Sequence, residues 1–343
     1  MIRVVSVSLG SSARDKTGRA TFLGEMVELS RVGTDGDFSK ALRIIGELDG
    51  QVDAIGLGGI DLYLWAGGRR YTIRDAARLA AMAKTTPVVD GSILKLLLEP
   101  RIVEQLALSL RGVAPEPLSA QRSGAGASPS GAQQSSETHP TAQLPKAQTD
   151  EELLPPLKGS KVLLVSAVDR WGMAQALAKY AGQIVFGDMM FALGLPFPMR
   201  TLKHVERAAK LIAPVITKLP FQMLYPTGDK QKEHKPKFSE YFNWADWICG
   251  DFHYISRNIP PRLDGKVVLT NTTTEADQQR LAEHGLSWLV TTTPVVDGRS
   301  FGMNVLEGCL AALITRAGGE LSQQNYEIYL NKLDLKPNVM KLR

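Results

Sequence analysis

The chain has 343 residues, 44% hydrophobic and 22% charged, with a formal net charge of +5 and a pI near 9.1; this balance excludes fibrous and low-complexity classes and supplies core for two domains. The positive excess is thin for this length and no Lys/Arg block carries interleaved aromatics, so nucleic acid is not an expected partner. Cys249 and Cys309 lie in apolar stretches without zinc or disulfide spacing, the five histidines are scattered, and no metal site is expected. No Gly-x-Ser-x-Gly elbow or P-loop occurs. No apolar run reaches bilayer length, and residues 1–10 alternate like a strand, so a cytoplasmic protein without a membrane partner is expected, with homo-oligomerisation left open.

Residues 4–8 and 26–32 read as strands, with 20–23 a third, punctuated by Gly10-Ser11-Ser12 and Gly33-Thr34-Asp35-Gly36-Asp37. Apolar side chains at Phe38, Ala41, Leu42, Ile45 and Leu48 predict a helix over 38–48 with Asp37 as N-cap. A buried strand at 52–57 ends in Gly58-Gly59-Ile60-Asp61, and an amphipathic helix follows at 72–83. The phrase Thr-Thr-Pro-Val-Val-Asp-Gly then occurs at 85–91 and again at 292–298. Each copy closes a predicted strand and opens a predicted helix, where α/β proteins place ligands. The first runs into a leucine-rich helix and reads as architectural; the second continues into Gly298-Arg299-Ser300-Phe301-Gly302 and reads as part of a site.

Residues 113–156 are rich in Ser, Ala, Gly, Gln and Pro and too poor in large apolar side chains to offset ordering entropy, so a disordered linker is expected. It separates a smaller α/β domain, 1–112, from a second, 157–343. There a strand at 161–167, a helix at 170–181 and a strand at 183–186 form a βαβ unit, which predicts a Rossmann-like parallel sheet. Short strands at 247–249, 267–269 and 288–290, a helix at 275–283 capped by Thr273 or Thr274, and a last helix at 301–315 extend it. The fold expected is two-domain α/β with a cleft between the blocks.

The first βαβ turn, Ser166 to Gly172, lies where a pyrophosphate would meet a helix N-terminus, and Asp188 stands about 20 residues on, where an acid takes a ribose hydroxyl. The turn lacks the G-x-G-x-x-G fingerprint, so a plain structural βαβ unit competes with an NAD or NADP site at Ser166, Asp169, Gly172, Asp188 and Thr272. In Gly250-Asp251-Phe252-His253, Asp251 and His253 form a candidate acid/base pair on a strand-end loop, with Arg257 for an anionic substrate; the competing reading is a cap beside a surface histidine. Lys230, in a lysine-rich segment, is a further candidate over the ligand, against a solvated loop. Arg299, Ser300, Asp61 and Asp90 are candidates for substrate contacts, with helix capping the rival role for the two aspartates.

Longer motifs carry a resemblance. Val5-Ser6-Val7-Ser8-Leu9-Gly10-Ser11-Ser12, Gly58-Gly59-Ile60-Asp61-Leu62-Tyr63, Val165-Ser166-Ala167-Val168-Asp169-Arg170, Asp188-Met189-Met190-Phe191 and Gly250-Asp251-Phe252-His253-Tyr254 are similar to a bacterial family labelled quinate 5-dehydrogenase. The resemblance implies an oxidoreductase that uses NAD(P) to oxidise a ring hydroxyl of a small carboxylic acid. A lyase or transferase using the same cleft, and a non-catalytic two-lobed binding protein for a small anionic metabolite, are the alternatives.

Overall fold

The computed structural model describes residues 1–109, 154–224, 236–293, 295–296, 299–300 and 302–343. Most of the expected linker, Lys230, and the Pro, Asp and Gly of the second repeated phrase therefore lie outside the described residues. The first block contains β1 (Ile2–Ser8), β2 (Lys16–Phe22), β3 (Glu25–Gly33), α1 (Phe38–Leu48), β4 (Ala54–Gly58), the hairpin β5 (Tyr63–Ala66) and β6 (Arg69–Thr72), α2 (Arg74–Ala80), β7 (Val88–Val89) and α3 (Ser92–Ser109). The second begins with β8 (Lys161–Leu164), α4 (Trp171–Tyr180), β9 (Gln183–Phe186), α5 (Leu202–Ile216), α6 (Phe221–Leu224), α7 (Ser239–Trp244) and β10 (Trp247–Cys249). It continues with α8 (Phe252–Asn258), β11 (Val267–Thr270), α9 (Glu275–Glu283), β12 (Trp288–Thr291), β13 (Val295–Val296), β14 (Arg299–Ser300), α10 (Met303–Arg316), α11 (Gln323–Leu333) and β15 (Asn338–Lys341).

Local signals set several of these limits. The Asp37 side chain accepts Lys40 N at 2.9 Å and starts α1, whose Ala41 and Ile45 are buried. Thr274 starts α9 through a capping box with Asp277. Residues 251–258, expected as a loop, instead form α8 behind the N-cap Asp251. The helix expected over 72–83 is shorter, because the chain leaves helical geometry after Ala81 in a turn at Met82 and Ala83.

The two main sheets share a winding. In the first, the order is β2-β3-β1-β4-β7, parallel except for the edge strand β2; in the second it is β15-β12-β11-β10-β8-β9, parallel except for β15. Counting only parallel strands in chain order, both run 2-1-3-4, the second adding a fifth. The parallel sheet expected for 157–343 is present, wound in the flavodoxin-like order and not in the 3-2-1-4-5-6 order of the dinucleotide fold. The winding reverses between β1 and β4 and between β8 and β10, so the switch-point crevices lie at their C-terminal ends. The repeated phrase plays unequal parts: Val88 and Val89 are a strand of the first sheet, whereas Val295 and Val296 pair only with β14 in a separate ribbon.

Among the described residues the two blocks share a continuous apolar core. Three cores stack through the molecule, and the largest runs from Ile2, Val4, Ala54 and Val89 on the first sheet to Val162, Leu164, Trp247 and Leu269 on the second. Helices α3, α4, α10 and α11 fill the space between. On the outer faces, Val5, Val7, Ile55 and Leu57 meet α1 and α2, and Leu163, Ile248, Val268 and Leu289 meet α7, α8 and α9.

The blocks also exchange elements. Helix α10 seats on β1, β4 and β7, where Glu307 accepts Ile93 N and Leu94 N at the start of α3 and Asn304 Nδ2 donates to Ser6 Oγ. Helices α5 and α6 reach back to α2 through Arg74 N to Thr217 O (2.9 Å) and Phe221 N to Asp75 Oδ2 (3.0 Å), and Phe221 stacks on Phe38. Glycine permits the closest approach: a Cβ at Gly308 would lie 2.7 Å from Val4 Cγ1. Gly308→Val should therefore destabilise the full chain by about 1–3 kcal/mol, read as a lowered melting temperature, because overfilling a packed core forces the helix off the sheet. An unchanged melting temperature would mean that α10 does not seat there.

Candidate functional site

Loops at the C-terminal ends of β4, β8, β10 and β11 meet the first two turns of α3 in one charged cluster. Asp61 follows β4, Asp169 and Arg170 follow β8, Asp251 follows β10 and Asn271 follows β11; Lys95 and Glu99, four apart, share a face of α3. Lys95 Nζ donates to Asp61 Oδ1 and to Asp169 Oδ1, each at 2.5 Å, tying the blocks together. The Arg170 guanidinium donates to Glu99 through Nη1 and to Asp251 Oδ2 through Nη2 (3.0 Å), while its Nε lies 3.5 Å from Asp169 Oδ2. Asn271 Nδ2 reaches Asp251 Oδ2 at 3.4 Å.

The cluster has a dry floor and an accessible rim. Arg170 and Glu99 side chains are 0% exposed, whereas Asp251 keeps 18%, Asp61 17%, Asp169 14% and Lys95 11%. Burial pushes Asp61 up to about 6 against the pull of Lys95, with Asp169 adding to the rise. Burial likewise raises Glu99 to about 7 despite Arg170. At Asp251 burial is outweighed by His253 and Arg170, which hold its carboxyl down at about 2. Burial opposes the charge of Lys95, but Asp169 and Asp61 overcome it and raise its pKa, so the ammonium stays protonated and offers no amine nucleophile. The rim thus presents carboxylate acceptors and one fixed ammonium. Such a cluster adds little net stability, since desolvation consumes most of the Coulombic gain.

The other expected site residues are dispersed. Asp188 Oδ1 accepts Ala167 N (2.9 Å) and Val168 N (2.8 Å), and burial pushes its pKa up to about 6. The acid expected to hold a ribose instead takes the N–H groups that a pyrophosphate would need. Gly172 makes its close approach to α3, not to a ligand, as a Cβ there would sit 2.7 Å from the carbonyl oxygens of Lys95 and Leu96. Ser166 is buried with its Oγ unpartnered, and Thr272 is half-buried on the loop after β11.

Asp251 acts as a cap, and its bond to His253 runs from the backbone N–H of that residue (2.8 Å), with His253 exposed. Arg257 lies in the last turn of α8. Asp90 is structural, accepting Leu62 N (2.6 Å), Tyr63 N (3.1 Å) and Ser92 N (3.1 Å). Arg299 and Ser300 lie in β14, and their side chains are outside the described residues. Lys95 and Glu99 were missed because their helix was read as plainly leucine-rich. Two charges one turn apart inside the apolar run Ile93-Leu94-Lys95-Leu96-Leu97-Leu98-Glu99 are themselves the signal of buried groups that need partners from other elements.

Fold and site define an α/β protein with two interlocked parallel sheets and a charged cluster between their C-terminal edges. The chain belongs to the family described as Domain of unknown function (DUF8754), whose model matches residues 146–342; a second model, Domain of unknown function (DUF8753), matches residues 3–90. No curated protein matches. Solved structures similar to it include GanP, a glucose-galactose binding protein from Geobacillus stearothermophilus (9% identity, 99% of this chain, 97% of that chain, TM-score 0.38). An ABC transporter solute-binding protein from Burkholderia multivorans (10%, 99% and 99%, 0.37) and a periplasmic sugar-binding protein from Pseudomonas fluorescens (12%, 93% and 81%, 0.35) are others. TM-scores at this level transfer neither fold nor ligand.

The expected quinate 5-dehydrogenase, an NAD(P)-dependent oxidoreductase, is corrected. Three of the five residues assigned to the nucleotide serve the protein itself: Asp188 holds the N–H groups of Ala167 and Val168, Gly172 closely approaches α3, and Asp169 pairs with Lys95. Among the described residues no cluster of His, Cys, Asp or Glu could hold a metal, and no helix is long and apolar enough to cross a membrane.

The raised value at Asp188 carries a pH dependence. Because the folded chain holds this proton more tightly than the unfolded chain, its stabilising contribution is full below the ordinary carboxylate range and is lost as pH rises through about 6. Asp188→Asn, which keeps the Oδ1 acceptor, should remove about 1–2 kcal/mol of the fall in stability between pH 4 and 7. Chemical denaturation across that range measures it; an unaltered slope would show that another group titrates there.

Proposed function

We propose that the protein binds a small ligand rich in hydroxyl or amine donors at the rim formed by Asp61, Asp169, Asp251 and Lys95. The observation that carries this reading is the convergence of three partly exposed carboxylates from both sheets at their switch-point edges, the position where open α/β sheets take ligands. Four carboxylates surround two cations, so the rim seeks hydrogen-bond donors. This departs from the anionic ligand expected from the loops. Arg170 and Glu99 serve as the fixed floor that orients Asp169 and Asp251, so the acceptors are positioned before the ligand arrives.

A second reading is an electrostatic latch between the blocks, favoured by the two short bonds that already satisfy Lys95. A thermal-shift panel of neutral polyols, amines and carboxylates separates the two readings. Ligand binding predicts that a polyol or amine raises the melting temperature of the wild type, and that Asp169→Asn weakens its affinity about tenfold or more through loss of a charge-assisted bond. If no polyol or amine stabilises the wild type and Asp169→Asn only lowers its melting temperature, the latch stands. Stabilisation by carboxylates alone would overturn the acceptor rim.

A further inference from the structure

We propose that the outer face of α5 and α6 docks the protein on an anionic lipid surface. Leu211, Val215 and Met223 are 79%, 63% and 70% exposed, far beyond what a stray surface leucine requires explaining, and Phe197, four residues before the N-cap Thr201, is 60% exposed. Residues 203, 207, 210, 211, 214, 215 and 218 recur at helical spacing on one exposed stripe. Its first half is basic, with Lys203, Arg207 and Lys210. Its second half is apolar, with Leu211, Pro214 and Val215, and is closed by Lys218. Among the described residues none of these four cations is in an ion pair.

The opposite face of α5, with Val205, Ala209 and Ala213, is buried, and Thr217 and Phe221 bind α2, so the stripe is held outward on a fixed support. Charge selects the occupant. A second copy packed face to face would oppose lysine to lysine, and a nucleic-acid backbone would leave Leu211 and Val215 without apolar cover. The projecting side chains stand outward on one exposed stripe of α5, which suits an interface that deforms around them. Leucine, valine and methionine enter the acyl boundary while lysine and arginine stems extend to anionic headgroups. This partner is distinct from the small-molecule site and independent of it.

Vesicle co-sedimentation of the full chain tests the proposal. It should pellet with phosphatidylcholine–phosphatidylglycerol vesicles, weakly with phosphatidylcholine alone, and less as salt rises. Leu211→Asp with Val215→Asp should lower partitioning about tenfold or more while leaving the melting temperature unchanged, as both positions are exposed. Lys203→Glu with Arg207→Glu and Lys210→Glu should abolish the preference for anionic vesicles. Equal binding to neutral vesicles, full binding by the Leu211/Val215 variant, or no binding to either vesicle overturns the proposal. Retention on polyglutamate without vesicle binding would assign the face to an acidic protein instead.

Discussion

Arg170 is a guanidinium with no exposed surface, and a guanidinium does not shed its proton to escape burial. The chain therefore has to bring carboxylates to it, and they come from three places: Glu99 on α3, the neighbouring Asp169, and Asp251 at the start of α8. Glu99 belongs to the first block and Asp251 to the second. Satisfying one buried charge thus places α3 against α4 and fixes where the loops after β8 and β10 end. Lys95, one turn before Glu99, then meets Asp169 from one side and Asp61 from the other.

Interlocking of the blocks follows the same logic at larger scale. Each sheet needs apolar cover on both faces, and the inner faces of both are covered by helices drawn from both blocks. The shared layer of α3, α4, α10 and α11 solves this once for both sheets. Because α10 lies between β12 and β15 of the second sheet and packs on the first, the two sheets cannot separate without exposing the largest core. A ligand at the rim would meet groups already held in place by Lys95 and Arg170.

Elements with strong local signals were legible in the sequence. Helices α1 and α9 stand within the predicted limits because Asp37 and Thr274 cap them through contacts a few residues away. The strands β9 and β10 were legible for a similar reason, as short apolar runs bounded by turns. Helix α8 was not, since its Asp251 cap could be read equally well as one member of a catalytic pair. Nor was the role of Asp188, whose acceptance of two backbone N–H groups depends on how closely the loop after β8 folds over β9.

The order of polar and apolar residues by itself determined that this is an α/β chain, where most strands and helices begin, and that Asp61 and Asp169 stand at strand ends. Those properties depend on neighbours within a turn or two. Tertiary structure alone decided that Lys95 joins Asp61 to Asp169, which are 34 and 74 residues away from it, that α10 covers the first sheet, and that the repeated Val-Val is a sheet strand in one copy and a ribbon in the other. Contacts across such separations are set by which faces must be buried together, and no local pattern encodes the partner of a face.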